Sequence, residues 1–145
     1  MRTEFQKAKI PSEIRSLCIF DRKVFPSDHF SAEEWRGYEA WWLIVNRRRI
    51  GCCAFETQPG DSLYISTTGI LPAFQGHGYG RLMKTWQLVY ARENGFKRIE
   101  THSRKSNAAM IALNKQFGFK IIRTERGYYE DPRESAVVME LSLFG

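Results

Sequence analysis

The segment Ile70-Leu71-Pro72-Ala73-Phe74-Gln75-Gly76-His77-Gly78-Tyr79-Gly80-Arg81 joins an apolar, β-branched run to an amphipathic helical pattern. Three glycines, Gly76, Gly78 and Gly80, fall within five positions at the junction. Glycine lets a backbone turn its N–H groups inward and approach a ligand closely, and a helix N-terminus adds the positive end of a dipole. The junction is therefore expected to hold an anion, above all the phosphate of a phosphorylated ligand. A glycine-rich strand-to-helix turn that binds nothing is the competing reading.

Two familiar glycine patterns fail here. A Walker loop ends Gly-Lys-Ser/Thr, whereas this one ends Tyr79-Gly80-Arg81. A dinucleotide fingerprint, G-x-G-x-x-G, would need glycine at Arg81 when counted from Gly76, or at Met83 when counted from Gly78. What remains is Gln75-x-x-Gly78-x-Gly80. This resembles the Arg/Gln-x-x-Gly-x-Gly/Ala signature of the GNAT superfamily of N-acetyltransferases. A second block, Ser106-Asn107-Ala108-Ala109-Met110-Ile111-Ala112-Leu113-Asn114-Lys115-Gln116-Phe117-Gly118-Phe119, resembles that family's later helix and its Gly-Phe exit. Gly118 stands where a left-handed residue ends a helix. The tail, Arg126-Gly127-Tyr128-Tyr129-Glu130-Asp131-Pro132 followed by Ser135-Ala136-Val137-Val138-Met139-Glu140-Leu141, is similar to the ending of the ribosomal-protein-alanine N-terminal acetyltransferases within GNAT. The likeness covers Thr67 to Leu143 well. Before that it rests on element order and a Phe25-Pro26 step.

The chain has 145 residues, the size of one domain, so a single domain over 1–145 is expected. Its 43% hydrophobic content and four tryptophans can supply a core. No run approaches the roughly 18 apolar residues of a membrane span. The polar, mixed-charge start Met1-Arg2-Thr3-Glu4-Phe5-Gln6-Lys7 does not read as a secretory leader. Cys18, Cys52 and Cys53 are odd in number, and neighbouring cysteines on a strand point to opposite faces. No metal-type spacing occurs. Free thiols in a reducing compartment, hence the cytoplasm, are the expectation, with no metal. The net charge of +6 suits a polyanionic ligand as well as plain solubility. Arg47-Arg48-Arg49 lies between two apolar runs and reads as a hairpin turn with solvated arginines, which makes nucleic acid an unlikely partner.

Along the chain, Phe5 to Lys9 reads as a strand, and Ser12 as the cap of a helix running to Phe25, stopped by Pro26. Ser31-Ala32-Glu33-Glu34 carries a capping-box pattern. Trp41 to Asn46, Ile50 to Thr57 and Leu63 to Leu71 read as strands, with a turn at Gln58-Pro59-Gly60-Asp61. Gly78 to Glu93 is the best helical pattern, with Leu82, Trp86 and Val89 on the apolar face and Met83 and Tyr90 beside them. Arg98 to Ser103 is a strand, Asn107 to Phe117 a helix, and Phe119 to Tyr129 with Ala136 to Leu143 a closing antiparallel pair. The order βααβββαβαββ gives an α/β (α+β) fold. It has a mixed, mostly antiparallel sheet of about seven strands flanked by four helices, which is also what the GNAT resemblance implies.

The resemblance further implies acetyl-CoA as donor. The backbone of Thr68, Gly69 and Ile70 would pair with the pantetheine arm and polarise the thioester. Gln75, Gly76, His77, Gly78, Tyr79, Gly80 and Arg81 would surround the pyrophosphate, and Asn107 would contact the arm. Asn107 also reads as a plain N-cap, and His77 as a solvated loop side chain. In GNAT proteins the strands equivalent to Leu63–Leu71 and Arg98–Ser103 splay apart around that arm.

Acetylating an amine requires a base, because a free α-amine (pKa about 7.7–8.0) or a lysine (about 10.4) is largely protonated at neutral pH. It also requires a donor for the oxyanion and an acid or positive field for the thiolate. Here the chain departs from its look-alikes. Where they carry a glutamate base it has His102, and where they carry a tyrosine acid it has Asn114. His102, with an unperturbed pKa near 6.5, is the candidate base, or else a strand histidine that only fills space. Glu100, on the same strand face, is the backup base or the partner that orients His102. Tyr128 and Tyr129 are the candidate acids, or else aromatic packing at a hairpin. Trp35, Trp41 and Trp42 line either an acceptor groove near Phe25-Pro26-Ser27-Asp28 or the core.

Three functions stay open at this point. The chain acetylates a protein or peptide N-terminus, acetylates a small amine, or binds an acyl-CoA without catalysis. The partners expected are acetyl-CoA and an amine acceptor, with no membrane, the chain acting as monomer or homodimer.

Overall fold

The computed structural model describes residues 2–143. Its elements run β1 (Thr3–Lys7), α1 (Ile14–Val24), α2 (Ala32–Arg36), β2 (Glu39–Val45), β3 (Arg48–Gln58), β4 (Ser62–Ile70), α3 (Tyr79–Glu93), β5 (Arg98–Arg104), α4 (Ala108–Gln116), β6 (Lys120–Tyr129) and β7 (Glu134–Ser142). The order is the expected βααβββαβαββ. One short 3-10 turn, Pro72–Phe74, intervenes before α3 and has no counterpart in the sequence reading. The seven strands form a mixed sheet ordered β1-β2-β3-β4-β5-β7-β6. β4 and β5 are parallel, whereas β1–β2, β2–β3, β5–β7 and β6–β7 are antiparallel. Contacts gather into two compact units, one of Met1–Glu56 with Ser66–Met83 and one of Thr57–Ile65 with Lys84–Gly145.

In the first unit the β2–β3 hairpin turns on Asn46 (φ 48°) and Arg47 (φ 69°). Two successive left-handed residues match the twist of the flanking strands. The basic run is therefore not a solvated turn throughout. Arg48 and Arg49 lie on β3, and Arg49 forms an ion pair with Glu13 while its guanidinium sits 4.5 Å from the Trp42 ring centre. That same glutamate displaces Ser12 from the expected cap. Glu13 is the N-cap of α1 without a side-chain capping bond, its carboxylate accepting instead from Lys9 N (2.8 Å) and Trp42 Nε1 (3.2 Å). α1 closes at Val24, one residue short of Phe25, because Phe25 N donates to Asp21 O (2.7 Å) and Pro26 offers no N–H to continue. The Ser31–Glu34 capping box forms as expected. β1 begins two residues early, at Thr3, because its register is set by Thr3↔Val45 on β2. Leu17, Phe20, Trp35, Trp42, Cys52 and Ala54 make the core of this unit, so Trp35 and Trp42 are core residues. Trp41 is half-buried, its Nε1 donating to Glu39 Oε2 (2.8 Å).

In the second unit β5 alternates cleanly. Ile99, Thr101 and Ser103 are buried, while Arg98, Glu100, His102 and Arg104 turn to the other face. The Asn107 side chain caps α4 by accepting from Met110 N (3.2 Å). The expected apolar face of α3 is rotated. Met83, Lys84, Gln87, Leu88 and Ala91 are buried, whereas Val89 is 44% exposed. The polar names of Lys84 and Gln87 hid this face, yet a lysine stem is apolar, and the Lys84 ammonium lies 5.1 Å from the Phe119 ring centre. Cys18, Cys52 and Cys53 are all free thiols. Among the described residues no helix is long and apolar enough to cross a membrane.

Candidate functional site

The glycine loop belongs to the first unit. Gly76 and Gly78 have φ of +78° and +88°, and nothing lies within 4 Å of where a Cβ would stand on either. The loop is thus open above its backbone and needs glycine for conformation rather than for space. Gln75 donates Nε2 to Ile70 O (2.9 Å), tying the loop back to the end of β4. Leu82 N donates to Gly78 O (3.1 Å), so the helix begins at the last of the open glycines. Tyr79, Gly80 and Arg81 form the first turn of α3, where the helix dipole favours an anion. Tyr79 meets Phe74 edge-on at 6.2 Å, which packs the start of the helix against the 3-10 turn. His77 and Arg81 are exposed, and Thr68 on β4 is half-buried. Gly69 is buried because a Cβ there would come within 3.0 Å of Val24 and 3.1 Å of Phe25. The fit to a pyrophosphate is good: an open glycine cradle, a helix N-terminus and an exposed arginine.

The second unit gathers the titratable candidates. Parallel pairing sets Tyr64 of β4 opposite Glu100 of β5. The Tyr64 ring stacks on His102, two residues further along, with centroids 5.5 Å apart and planes at 23°. Tyr64 Oη and His102 Nδ1 are hydrogen-bonded. Tyr128 and Tyr129 complete the group, with centroids 5.0 Å and 6.0 Å from His102 and 4.9 Å from each other. Burial, then the fields of Tyr128, Glu100, Tyr129 and Glu125, push the Tyr64 phenol well above its ordinary value. Tyr64 therefore stays an intact hydroxyl, able to orient an imidazole but not to act as a phenolate.

Glu100 is held differently from the expectation that it orients His102. Its carboxylate pairs with Arg123 (3.4 Å), which also binds Glu125 (3.0 Å), and the residue seen holding Nδ1 is Tyr64. Tyr64 was missed by sequence reasoning. Its signal lies in the register of two separate strands, not in any local spacing. Asn114 is almost fully buried, with Nδ2 on Met139 Sδ (3.7 Å). Asn107 occupies its cap. Among the described residues no group of His, Cys, Asp and Glu could hold a metal ion.

Comparison with known proteins gives these features a lineage. The sequence matches the acetyltransferase (GNAT) family over residues 11–119. It is 33% identical over 104 residues to the ribosomal protein bS18-alanine N-acetyltransferase of Haemophilus influenzae, covering 70% of each chain. It is 32% identical over 140 residues to N-alpha-acetyltransferase 50 of Danio rerio, covering 90% of this chain and 83% of that one. The fold superimposes on the crystal structure of the ribosomal-protein-S18-alanine N-acetyltransferase from Escherichia coli with a TM-score of 0.87 at 20% identity, covering 98% of this chain and 94% of that one. The match over most of its length shows that the chain belongs to the acetyltransferase (GNAT) family.

Proposed function

We propose that this chain is an acetyl-CoA-dependent N-acetyltransferase whose acceptor is the N-terminal amine of a protein or peptide. The observation that carries this reading is the His102–Tyr64 hydrogen bond set among Tyr128 and Tyr129. Two relatives, one named a ribosomal protein bS18-alanine N-acetyltransferase and the other an N-alpha-acetyltransferase, support the same acceptor class.

Acetyl-CoA supplies an activated acetyl thioester when bound. Gly76 to Arg81 would hold its pyrophosphate through backbone amides, with Gln75 bracing the loop and His77 at its rim. The backbone of Thr68, Gly69 and Ile70 would pair with the arm, and Asn107 is a further candidate contact for it. His102 takes a proton from the acceptor ammonium, a group with pKa of about 7.7–8.0 and so within reach of an imidazole near 6.5. Tyr64 Oη accepts from His102 Nδ1–H, which fixes the tautomer whose lone pair is on Nε2. Acetylation would join the amine nitrogen to the acyl carbon in exchange for the carbon–sulfur bond, with a proton delivered to the departing thiolate. Tyr128 and Tyr129 offer hydroxyls to the peptide backbone and to that departing sulfur. Glu100, engaged by Arg123, is the backup base. The enzyme works as one GNAT domain in the cytoplasm, a setting that fits three cysteines outside any disulfide.

Release of free thiol from acetyl-CoA is the test, run over peptides with open α-amines, their Nα-blocked forms, and small amines. Open peptides are expected to turn over and blocked ones not. Turnover of polyamines alone would assign a small-molecule acceptor. Binding of coenzyme A with no acetylation of any amine would leave a non-catalytic module.

A further inference from the structure

Arg104 lies two residues beyond His102 on the same face of β5, and its guanidinium is spent on the loop that joins β6 to β7. Nη1 donates to Pro132 O (2.8 Å) and to Glu134 Oε1 (3.2 Å), and Nη2 donates to Glu130 O (2.8 Å). The same planar group lies 4.6 Å from the centre of the Tyr129 ring. A guanidinium presents several donors in one rigid plane, so it can bridge two carbonyls and a carboxylate while stacking on an aromatic ring, which an ammonium cannot do. The other oxygen of Glu134 accepts from Ser106 N (2.6 Å), and Lys105 N donates to Ser135 O (3.0 Å). The segment between His102 and Asn107 is thereby laced to the tyrosine hairpin at several points.

The hairpin needs such a clasp. Its backbone is left-handed at Gly127 (φ +62°) and at Asp131 (φ +55°), and the β6–β7 register is irregular between Glu125 and Tyr129. Tyr128, next to the stacked ring, is 48% exposed. Past the interruption, Tyr129↔Glu134 is the pair that rejoins β6 to β7, so this end of the hairpin has short ladder support of its own.

We infer that Arg104, braced by Glu134, is the positioning residue that sets Tyr129 and its hairpin for the acceptor, and that it governs acceptor binding without touching the donor. The inference rests on the proposed acetyltransferase activity. Arg104 is not a catalytic residue, because its donors go to the loop rather than to a reacting group.

The experiment compares wild type with Arg104→Lys, Arg104→Met and Glu134→Gln. Four quantities are measured: KM and kcat for an open peptide, KM for acetyl-CoA, coenzyme A affinity by calorimetry, and amide hydrogen exchange over residues 130–134. Arg104→Met is expected to raise the peptide KM about tenfold or more, with the acetyl-CoA KM within twofold and loop exchange faster by a similar factor. Arg104→Lys recovers part of the loss and Glu134→Gln shows a smaller effect of the same kind. If Arg104→Met does not fold, the other two variants decide by the same split. A peptide KM unchanged within twofold, or donor and acceptor KM rising together, overturns the inference. Absence of coenzyme A binding by wild type overturns the acetyltransferase reading itself. Faster loop exchange in an enzyme that binds coenzyme A but shows no change in peptide KM reduces the clasp to a structural one and sinks the acceptor role.

Discussion

The phenol of Tyr64 is hydrogen-bonded to Nδ1 of His102 across two parallel strands, and the two rings are stacked at 5.5 Å. The contact is diagonal: Tyr64 is in register with Glu100, and His102 is the next residue on the same face. Nothing about the local sequence of either residue requires the other.

Tyr64→Phe keeps the stack and removes the hydroxyl, so it isolates the orienting bond. A fall in kcat on the order of tenfold or more is expected, with coenzyme A affinity unchanged. An unaltered kcat would show that the hydroxyl does not set the tautomer.

His102 must be neutral to accept a proton, so kcat/KM should fall as pH drops below its pKa, which for an ordinary histidine is near 6.5. His102→Gln should abolish that acid limb and lower kcat by about 10²–10⁴-fold. Retention of the limb in the variant assigns it to another group.

Gly78→Ala separates conformation from room. The site has space for a methyl group, yet φ is +88°. The left-handed backbone costs an L-residue about 1–2 kcal/mol. Lower melting temperature and weaker coenzyme A binding are expected together. If the affinity survives while stability falls, the loop amides are not the anion's ligands.

Asp21 makes stability depend on pH in an unusual direction. Its carboxyl, nearly fully buried in α1, is raised by that burial from 3.8 to about 6, despite accepting from Phe30 N (2.7 Å). The folded form holds the proton more tightly than the unfolded form. Its contribution is fully present below about pH 3.8 and is lost as pH rises through about 6, an effect of about 3 kcal/mol at most. Asp21→Asn should lack this slope, so the variant should gain on wild type in melting temperature between pH 4 and 7. Parallel curves would show that the carboxyl is not desolvated.

Glu13 runs the other way. Partial burial raises its pKa, but Lys9 N–H, the Trp42 indole and Arg49 together carry it below the ordinary value. Its stabilisation is present above the unfolded pKa of about 4.3 and is lost as pH falls through the folded one. Glu13→Gln should cost about 1–3 kcal/mol at pH 7 by denaturant titration, and the gap should narrow as the pH falls below the ordinary carboxylate range. A gap independent of pH would mean that geometry, not charge, is what the variant loses.

The features that could be read from the sequence are those whose physics is local. Ser31 with Glu34, Asn107 before α4, and the glycines between β4 and α3 each announce an element end within a few residues. Features that depend on distant partners could not be read this way. Ser12 lost its capping role to Glu13 because Glu13 meets Trp42 and Arg49 from β2 and β3. The buried face of α3 was misplaced because residue names record the end of a side chain, and Lys84 buries its stem. Tyr64 escaped notice because its relation to His102 exists only once β4 and β5 are aligned.

The alternation along β5 carries a consequence for descent. Its odd-numbered residues serve the interior, and its even-numbered ones share the face that carries the proposed base His102. Loss or gain of one residue there would press the histidine inward and push Thr101 and Ser103 out among the tyrosines, ruining foldability and reactivity in a single stroke. Substitution at constant length is therefore the change to this strand that leaves both of its faces in place.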